Sequence, residues 1–303
     1  MLVQLGERVW ALPGGVNIGI VRGDEGCLLL IDTGPNETAA KKALKAAREE
    51  LGGEVEVAAI LTTHGHADHF GANAAVVKRT AARVFAPRLD EAVLRYPQLQ
   101  PALLFGGADP MDALRTPFLL AHASPVDQVI APGPLTVEGV ALEVVDLAGH
   151  SPGQVGYLVD GVFFCADVVL PESVLEKYRI PYLFGVTDHL AALAAARSVA
   201  CAAAVPGHGP LLDAAGLAAT VERNRALIEA VAARVLELAA EPATAEEILT
   251  GLLVGFGSPA ADAPGFYLLQ PTAFAFLAHL HRQGRLRHEV RDGRSLWTAE
   301  RGG

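Results

Sequence analysis

A short segment, ILTTHGHADHF at residues 60–70, concentrates side chains of the types that bind metals. His64, His66, Asp68 and His69 lie within six positions, and together they use three of the ten histidines in the chain. An apolar run typical of a buried strand leads into them, and a helical pattern follows. In an extended loop, alternate residues point the same way, so His64, His66 and Asp68 share one direction and His69 takes another. The segment therefore predicts a loop that supplies two adjacent metal sites with imidazole and carboxylate ligands, which suit zinc, iron or manganese.

Three more residues of these types occur in the same local context. His150 follows an apolar run and precedes Ser-Pro-Gly, Asp167 ends the run FFCAD, and His208 lies in Pro-Gly-His-Gly after a third apolar run. The carboxyl ends of strands are where α/β proteins place ligands, and small neighbours let the backbone approach closely. Seven donors, five imidazoles and two carboxylates, thus predict a dinuclear centre. His189, beside a predicted helix start, is expected to face solvent or to cap that helix.

The set of motifs resembles the metallo-β-lactamase superfamily of metallohydrolases. His-x-His-x-Asp-His at 64–69, Gly-His-Ser at 149–151, Asp167 and Gly-His-Gly at 207–209 stand in the order of that family, and LLIDTG at 29–34 also matches. The resemblance covers roughly the first 212 residues. It implies an α/β fold, the αββα four-layer sandwich, with two facing sheets, helices outside and the metal site at one edge.

The resemblance also implies how the donors divide and act. One metal would be bound by His64, His66 and His150, and the other by Asp68, His69 and His208, with Asp167 bridging the two. Two divalent ions, expected to be Zn²⁺ with Fe or Mn as alternatives, lower the pKa of a shared water toward about 7, so that a metal-bridging hydroxide becomes the nucleophile. Asp68 could accept a proton from it. Asp32 is expected to orient a ligand histidine or the loop from behind, or else to cap a turn.

Such a nucleophile suits thioester or ester cleavage, lactone or lactam opening, and phosphodiester cleavage. We expect a metal-dependent hydrolase of small acyl substrates (thioester, ester or lactone), because apolar sequence within residues 88–128 favours an acyl group over a phosphate chain. One alternative is a phosphodiesterase or nuclease acting on RNA or DNA. Another, implied by relatives with the same motif, is a mono-iron persulfide dioxygenase-like oxidoreductase.

Two segments are expected to surround the substrate. Residues 88–128 are predicted to be an irregular helical excursion that forms either a lid or a dimer surface. Residues 170–186 follow Asp167, and within them Lys177, Tyr178 and Tyr182 are candidates for binding a substrate carboxylate or oxyanion, the alternative being that they pack or face solvent.

The elements that position these residues follow from turn and periodicity signals. Strand pairs are predicted around the turns at 23–26, Glu138-Gly139 and Asp160-Gly161. Helices are predicted over PNETAAKKALKAAREELGG, GANAAVVKRTAA and TDHLAALAAARSVA, each next to an apolar strand. The alternation of strand and helix is typical of an α/β protein.

From about residue 212 the pattern becomes mainly helical. A long amphipathic helix is followed by a Thr-x-x-Glu capping box at 244–247, a helix from Pro271 and a hairpin around Asp292-Gly293. Helix, helix, hairpin is the order of a winged-helix module. We therefore expect a catalytic domain at 1–212 and a linker helix plus winged-helix-like domain at 213–303, whose residues Phe266, Tyr267, Leu268, Phe274 and Phe276 form its core.

Composition limits the partners. The 303 residues carry a formal net charge of −10, and 51% are hydrophobic, so a packed core is expected and nucleic acid is not the default partner. The last 25 residues have six Arg against three acids, which leaves nucleic acid open but not favoured. The sequence contains no apolar run long enough for a membrane span, and no leader pattern. With three scattered cysteines, we expect a cytoplasmic protein, a small-molecule substrate and a homo-oligomer.

Overall fold

A computed structural model describes residues 1–258, 260 and 262–300. The strands are β1 (Val3–Gln4), β2 (Val9–Leu12), β3 (Ile18–Arg22), β4 (Leu28–Ile31), β5 (Val57–Leu61), β6 (Arg83–Pro87), β7 (Gln128–Ile130), β8 (Gly133–Val137), β9 (Val140–Asp146), β10 (Val155–Val159), β11 (Val162–Ala166), β12 (Ala203–Pro206), β13 (Leu286–Arg291) and β14 (Arg294–Ala299). The helices are α1 (Glu37–Leu51), α2 (Ala67–Phe70), α3 (Asn73–Thr80), α4 (Asp90–Arg95), α5 (Leu99–Leu104), α6 (Glu172–Tyr178), α7 (Val186–Ser198), α8 (Ala214–Leu238), α9 (Ala245–Phe256) and α10 (Ala263–Arg282).

Two sheets lie face to face. The first has the order β1 to β7, antiparallel up to β4 and parallel from β4 to β7, and the second has the order β12-β11-β10-β9-β8. Strand β4 shows how the layers arise, because Leu29 and Ile31 pack between the sheets while Leu28 and Leu30 pack beneath α1 and α3. Helices α7 and α8 cover the other face of the second sheet. This is the expected αββα sandwich.

The predicted hairpins are confirmed. Glu138-Gly139, Asp160-Gly161 and Asp292-Gly293 each have positive φ at both residues, which is the backbone that a two-residue hairpin turn needs. The turn at 23–26 likewise joins the antiparallel strands β3 and β4. The excursion at 88–128 contains α4, α5 and a short 3-10 helix before β7 begins, so its irregular helical character is also confirmed.

The C-terminal helices pack against the second sheet. One hydrophobic cluster joins Phe163 of β11, Leu193 of α7, Val231 of α8 and Phe276 of α10. The predicted capping box of α9 is present, with Thr244 and Glu247 bonded to each other's backbone N–H. Strands β13 and β14 form the predicted hairpin. Within the described ranges, every helix is too short or too polar to span a lipid bilayer.

Helix α10 differs from its prediction. It begins at Ala263, eight residues before Pro271, because the Asp262 carboxylate accepts a hydrogen bond from the Gly265 N–H (2.9 Å) and caps the helix there. Pro271 therefore lies inside the helix. The assignment of Phe274 to a core is wrong, since Phe274 is 48% exposed. Leu268 is half-buried and packs against a small hydrophobic cluster of Leu104, Leu114 and Leu119. Phe276 is fully buried, as expected.

Candidate metal centre

The seven predicted donors meet where strands of both sheets end. His64 follows β5 after two threonines, Asp68 and His69 lie on the single turn α2, and His208 follows β12. Asp167 follows β11, whose register with β12 shifts between Phe164 and Ala166. Ala166 has a φ of 48°, a conformation that alanine rarely adopts and that is often found next to functional sites.

Three imidazole nitrogens converge in the first group. His66 Nδ1 lies 3.0 Å from His64 Nε2 and 3.0 Å from His150 Nε2. The far nitrogens are engaged elsewhere: His150 Nδ1 donates to the Tyr182 carbonyl (3.2 Å), and His64 Nδ1 lies 3.0 Å from the Thr63 hydroxyl oxygen. The protons of His64 and His150 therefore sit on the far side, and lone pairs face the centre of the group.

The second group surrounds two carboxylates. His208 Nε2 lies 3.4 Å from Asp68 Oδ2 and 3.3 Å from Asp167 Oδ2, while His208 Nδ1 donates to the Gly15 carbonyl. His69 Nε2 lies 3.5 Å from Asp167 Oδ1. Asp167 also reaches the first group, with Oδ2 3.4 Å from His150 Nε2. Its position between the two groups coincides with the division of donors implied by the resemblance.

The donor set fits a pair of cations. His64, His66 and His150 form one triad of donor atoms, and Asp68, His69 and His208 form another. A third triad, His64, His69 and Asp167, lies between them. His69 Nε2 and Asp167 Oδ1 are buried and have no hydrogen-bond partner among the described residues. The two atoms face each other at 3.5 Å, beyond the distance of a well-formed hydrogen bond, as two ligands of one cation would. Imidazole and carboxylate are the ligand types of zinc and related divalent ions.

Charge within the metal-free cluster divides in the same way. Burial lowers the pKa of His66 to about 4 and that of His150 to about 3, which keeps both neutral, as ligands must be. The neighbouring Asp167 raises the pKa of His208 to about 10. Burial alone would raise the pKa of Asp167, but the adjacent His208 and His69 hold it well below its usual range. The cluster therefore has neutral imidazoles on one side and ionised carboxylates paired with the protonated His208 on the other.

Asp32 lies directly behind the donors. Its Oδ2 accepts hydrogen bonds from His69 Nδ1 (2.8 Å) and from the Thr63 hydroxyl (2.7 Å), and its Oδ1 accepts from the Thr63 N–H (2.8 Å). Asp32 has a φ of 57°, which aspartate tolerates better than most residues. The carboxylate thus fixes the ring of His69 directly and that of His64 through Thr63.

Asp90 is a residue that the sequence reasoning missed. It is buried, and its two oxygens accept from the Gly65 N–H (2.7 Å) and the Gly153 N–H (2.6 Å). One carboxylate therefore joins the loop of His64 and His66 to the loop of His150. Its helix, α4, begins in a stretch without a motif, so the sequence carried no signal for this residue.

A cavity of about 510 Å³ opens onto the donors, and the candidate substrate residues Lys177, Tyr178 and Tyr182 all contribute to its lining. Lys177 and Tyr178 are exposed, with the ammonium 4.7 Å from the Tyr178 ring centre. Tyr182 is half-buried, its ring 5.4 Å from that of His66, and burial raises the pKa of its hydroxyl to about 12. Tyr182 is therefore a neutral phenol beside the metal centre.

The expectation for His189 is wrong. His189 is buried behind the His150 loop, where its backbone leaves no room for a Cβ on Gly149, and burial lowers its pKa to about 4. The helix start suggested a surface position, but the packing of α7 against that loop encloses the ring.

Comparisons with known proteins agree with this geometry. Residues 11–208 match the family model of the metallo-beta-lactamase superfamily. Hydroxyacylglutathione hydrolase from Albidiferax ferrireducens is 29% identical over 186 residues, which are 59% of this chain and 58% of that protein, so the match spans little more than half of that relative. The enzyme of the same name from Xanthomonas campestris is 27% identical over 73% of this chain and 68% of its own length.

Solved structures share the whole architecture. A metallo-beta-lactamase family protein from Thermus thermophilus superposes with a TM-score of 0.71 over 96% of this chain and 98% of its own, at 22% identity. A beta-lactamase domain protein from Burkholderia ambifaria gives a TM-score of 0.74 over 99% and 93%, at 19% identity. At these identities the likeness concerns the fold, and it extends over the C-terminal helices.

Proposed function

The chain belongs to the metallo-β-lactamase superfamily, and from this membership we propose that it is a dinuclear metal-dependent hydrolase that cleaves small acyl substrates, thioesters before esters or lactones. The observation that carries the proposal is the meeting of Asp167 with six further donors, five imidazoles and the Asp68 carboxylate, in one cluster. The relatives named hydroxyacylglutathione hydrolase support a thioester, because an acyl group on glutathione is bound through sulfur.

The two donor groups would hold two divalent ions, most simply Zn²⁺. Such ions, when bound, lower the pKa of a water toward about 7 and polarise a carbonyl oxygen. Asp68, whose side chain is 24% exposed at the cavity, is positioned to accept the proton of the attacking water. Asp32 and the Tyr182 carbonyl keep the proton of His69 and of His150 on the ring nitrogen that faces away from the ions. The apolar side chains of the cavity limit the water that reaches the acyl group.

The experiment is turnover of acyl-thioester, lactone and bis(p-nitrophenyl) phosphate substrates by protein of measured metal content, with Asp68→Ala as the comparison. Thioester turnover that falls strongly in Asp68→Ala, with two zinc per chain, supports the proposal. Preference for the phosphodiester, with salt-dependent oligonucleotide binding, would instead identify a nuclease. One iron per chain and oxidation of a persulfide would identify the oxidoreductase, and metal without any turnover would indicate a binding protein.

We propose a division into a catalytic part at 1–212 and a winged-helix-like part at 213–303, which the observed order of α9, α10 and the hairpin supports. We propose a homo-oligomer, and a cytoplasmic location that the three free cysteines support.

A further inference from the structure

The cavity in front of the donors is built largely from apolar side chains of three separate segments. Leu175 and Ile180 come from the segment after Asp167, Phe118 and Leu119 from the 88–128 excursion, and Leu268 and Leu269 from the first turns of α10. The start of α10 therefore forms one wall of the cavity that reaches the metal centre. A volume of about 510 Å³ is in the range of ligand pockets and accommodates much more than a two-carbon acyl group.

The charges around this cavity are few. Apart from the donor histidines, Lys177 is the one cationic side chain among the described residues that line it, and it is exposed. Asp262, at the start of α10, adds a negative charge to the lining. A glutathione conjugate carries two carboxylates, which a protein normally binds with several cations or N–H donors. The lining matches an uncharged chain better than such a conjugate.

The C-terminal helices also hold the opposite wall in place. The Asn224 side chain of α8 accepts from the Leu170 N–H (3.0 Å) and donates to the Leu170 carbonyl (2.9 Å). The Thr272 hydroxyl of α10 accepts from the Leu183 N–H (2.9 Å). Both side chains are buried. Leu170 and Leu183 bracket the segment that carries Tyr178 and Tyr182, so this segment is fixed at both ends by the C-terminal helices.

We propose that α10 completes a binding site for the apolar acyl chain of the substrate, with α8 holding the neighbouring segment at Leu170, and that Leu268 and its neighbours select long, unsubstituted acyl groups over hydroxyacyl-glutathione. The inference deepens the proposed hydrolase function and rests on it. The thiol side of the substrate would leave past the exposed Lys177 and Tyr178, and the acyl chain would lie against the leucines of α10.

The first experiment measures kcat/KM of the metal-loaded protein for N-acetylcysteamine thioesters from acetyl to decanoyl, with lactoyl-glutathione for comparison. Each methylene buried in the cavity should raise kcat/KM about fourfold until the cavity is filled. Lactoyl-glutathione should have a lower kcat/KM than the decanoyl thioester. A flat or falling series, or a preference for lactoyl-glutathione, would overturn the proposal.

The second experiment locates the selectivity on α10. Leu268→Gln places a polar amide in the cavity and should lower kcat/KM for the decanoyl ester about tenfold relative to that for the acetyl ester. Leu268→Met keeps the volume and should retain the preference. Val254→Gln, at a site 78% exposed on α9, is the matched control and should leave the series unchanged. Melting temperatures identify any variant that is not folded.

Binding provides a readout that does not depend on turnover. Calorimetry with decanoate, the expected product, should show a larger Kd for Leu268→Gln than for Leu268→Met. Acetate should bind both variants with the same Kd. If short acyl esters are hydrolysed but chain length has no effect, the acyl site is wrong and the hydrolase stands. If no ester, thioester or lactone is hydrolysed at all, the proposed function itself fails.

Discussion

The donor cluster adjoins the segment from Leu170 to Leu183, which is called the cavity wall below, but the two are stabilised by different interactions. Every donor imidazole except that of His66 has its far nitrogen engaged with a protein oxygen, two of them at Asp32 or the adjacent Thr63. The wall is held by apolar packing and by two buried side chains, Asn224 and Thr272. A hydrogen-bonded cluster tolerates little change in angle, whereas apolar packing tolerates changes of shape. The part proposed to perform chemistry is therefore the more constrained one, and the part proposed to select substrate is the more adjustable one.

The strongest test of this contrast is at the centre of the cluster. Asp167→Asn removes the carboxylate shared by both donor groups while keeping its size. We expect hydrolysis to fall on the order of 10³-fold, with loss of bound metal, because the positive centre loses its common negative partner. Metal analysis and single-turnover assays check it. Retention of two metals with near-normal rates would refute the central position of Asp167.

The next largest effect concerns the pH dependence of stability at Asp90, whose carboxylate joins the loop of His64 and His66 to the loop of His150. Burial raises the pKa of Asp90 to about 6, above the 3.8 of an exposed aspartate. The folded state therefore binds this proton more tightly than the unfolded state, so the stabilisation is complete below pH 4 and is lost as the pH rises through about 6. The loss is about 3 kcal/mol.

The measurement is the unfolding free energy of the metal-free protein and of Asp90→Asn from pH 4 to 7. The variant lacks the titrating group, so the difference between the two proteins should change by that amount over this interval. A difference that stays constant with pH would mean that Asp90 keeps an ordinary pKa.

A smaller effect is expected behind the cluster. Asp32→Asn retains an acceptor for one partner but removes the negative charge facing His69 Nδ1. We expect metal affinity to fall about 10–100-fold, the usual cost of losing a group that orients a ligand. Competition with a chromophoric chelator measures it. Asn73, buried and bonded to Thr33 and Thr62 nearby but not to a donor ring, provides the control: Asn73→Asp should not reproduce the loss.

The smallest effect is expected on stability when Thr272, which holds one end of the cavity wall, is changed. Thr272→Val keeps the shape but leaves the Leu183 N–H without its acceptor, and it should cost about 1–2 kcal/mol of stability. Metal affinity should not change, since no donor is touched directly. Denaturant unfolding and the same chelator assay together check both statements. A loss of metal affinity would show that cluster and wall are not separable.

The sequence was sufficient for the cluster because its donors lie in short segments at strand ends. The spacing of two residues correctly placed His64 with His66, but the prediction that Asp68 shares their direction was wrong, because Asp68 lies on α2 and groups with His69 and His208. The division of the remaining donors came from the family resemblance. Asp90 could not be foreseen, because its role depends on two glycine N–H groups 25 and 63 residues away. The part of the cavity formed by α10 was missed for a related reason. Pro271 suggested that the helix starts there, but the Asp262 cap starts it eight residues earlier, at Ala263. Apolar side chains carry no motif, and only the packed fold shows which of them face a cavity.

The distribution of the donors over both sheets has a mechanical consequence. His64, His66, Asp68 and His69 follow a strand of one layer, whereas His150, Asp167 and His208 follow strands of the other. A bound pair of ions would link the two sheets, so the sheets could separate only after the metal is released. Binding free energy then adds to unfolding free energy. The midpoint of thermal denaturation should therefore rise with free metal concentration and fall when a chelator removes the metal.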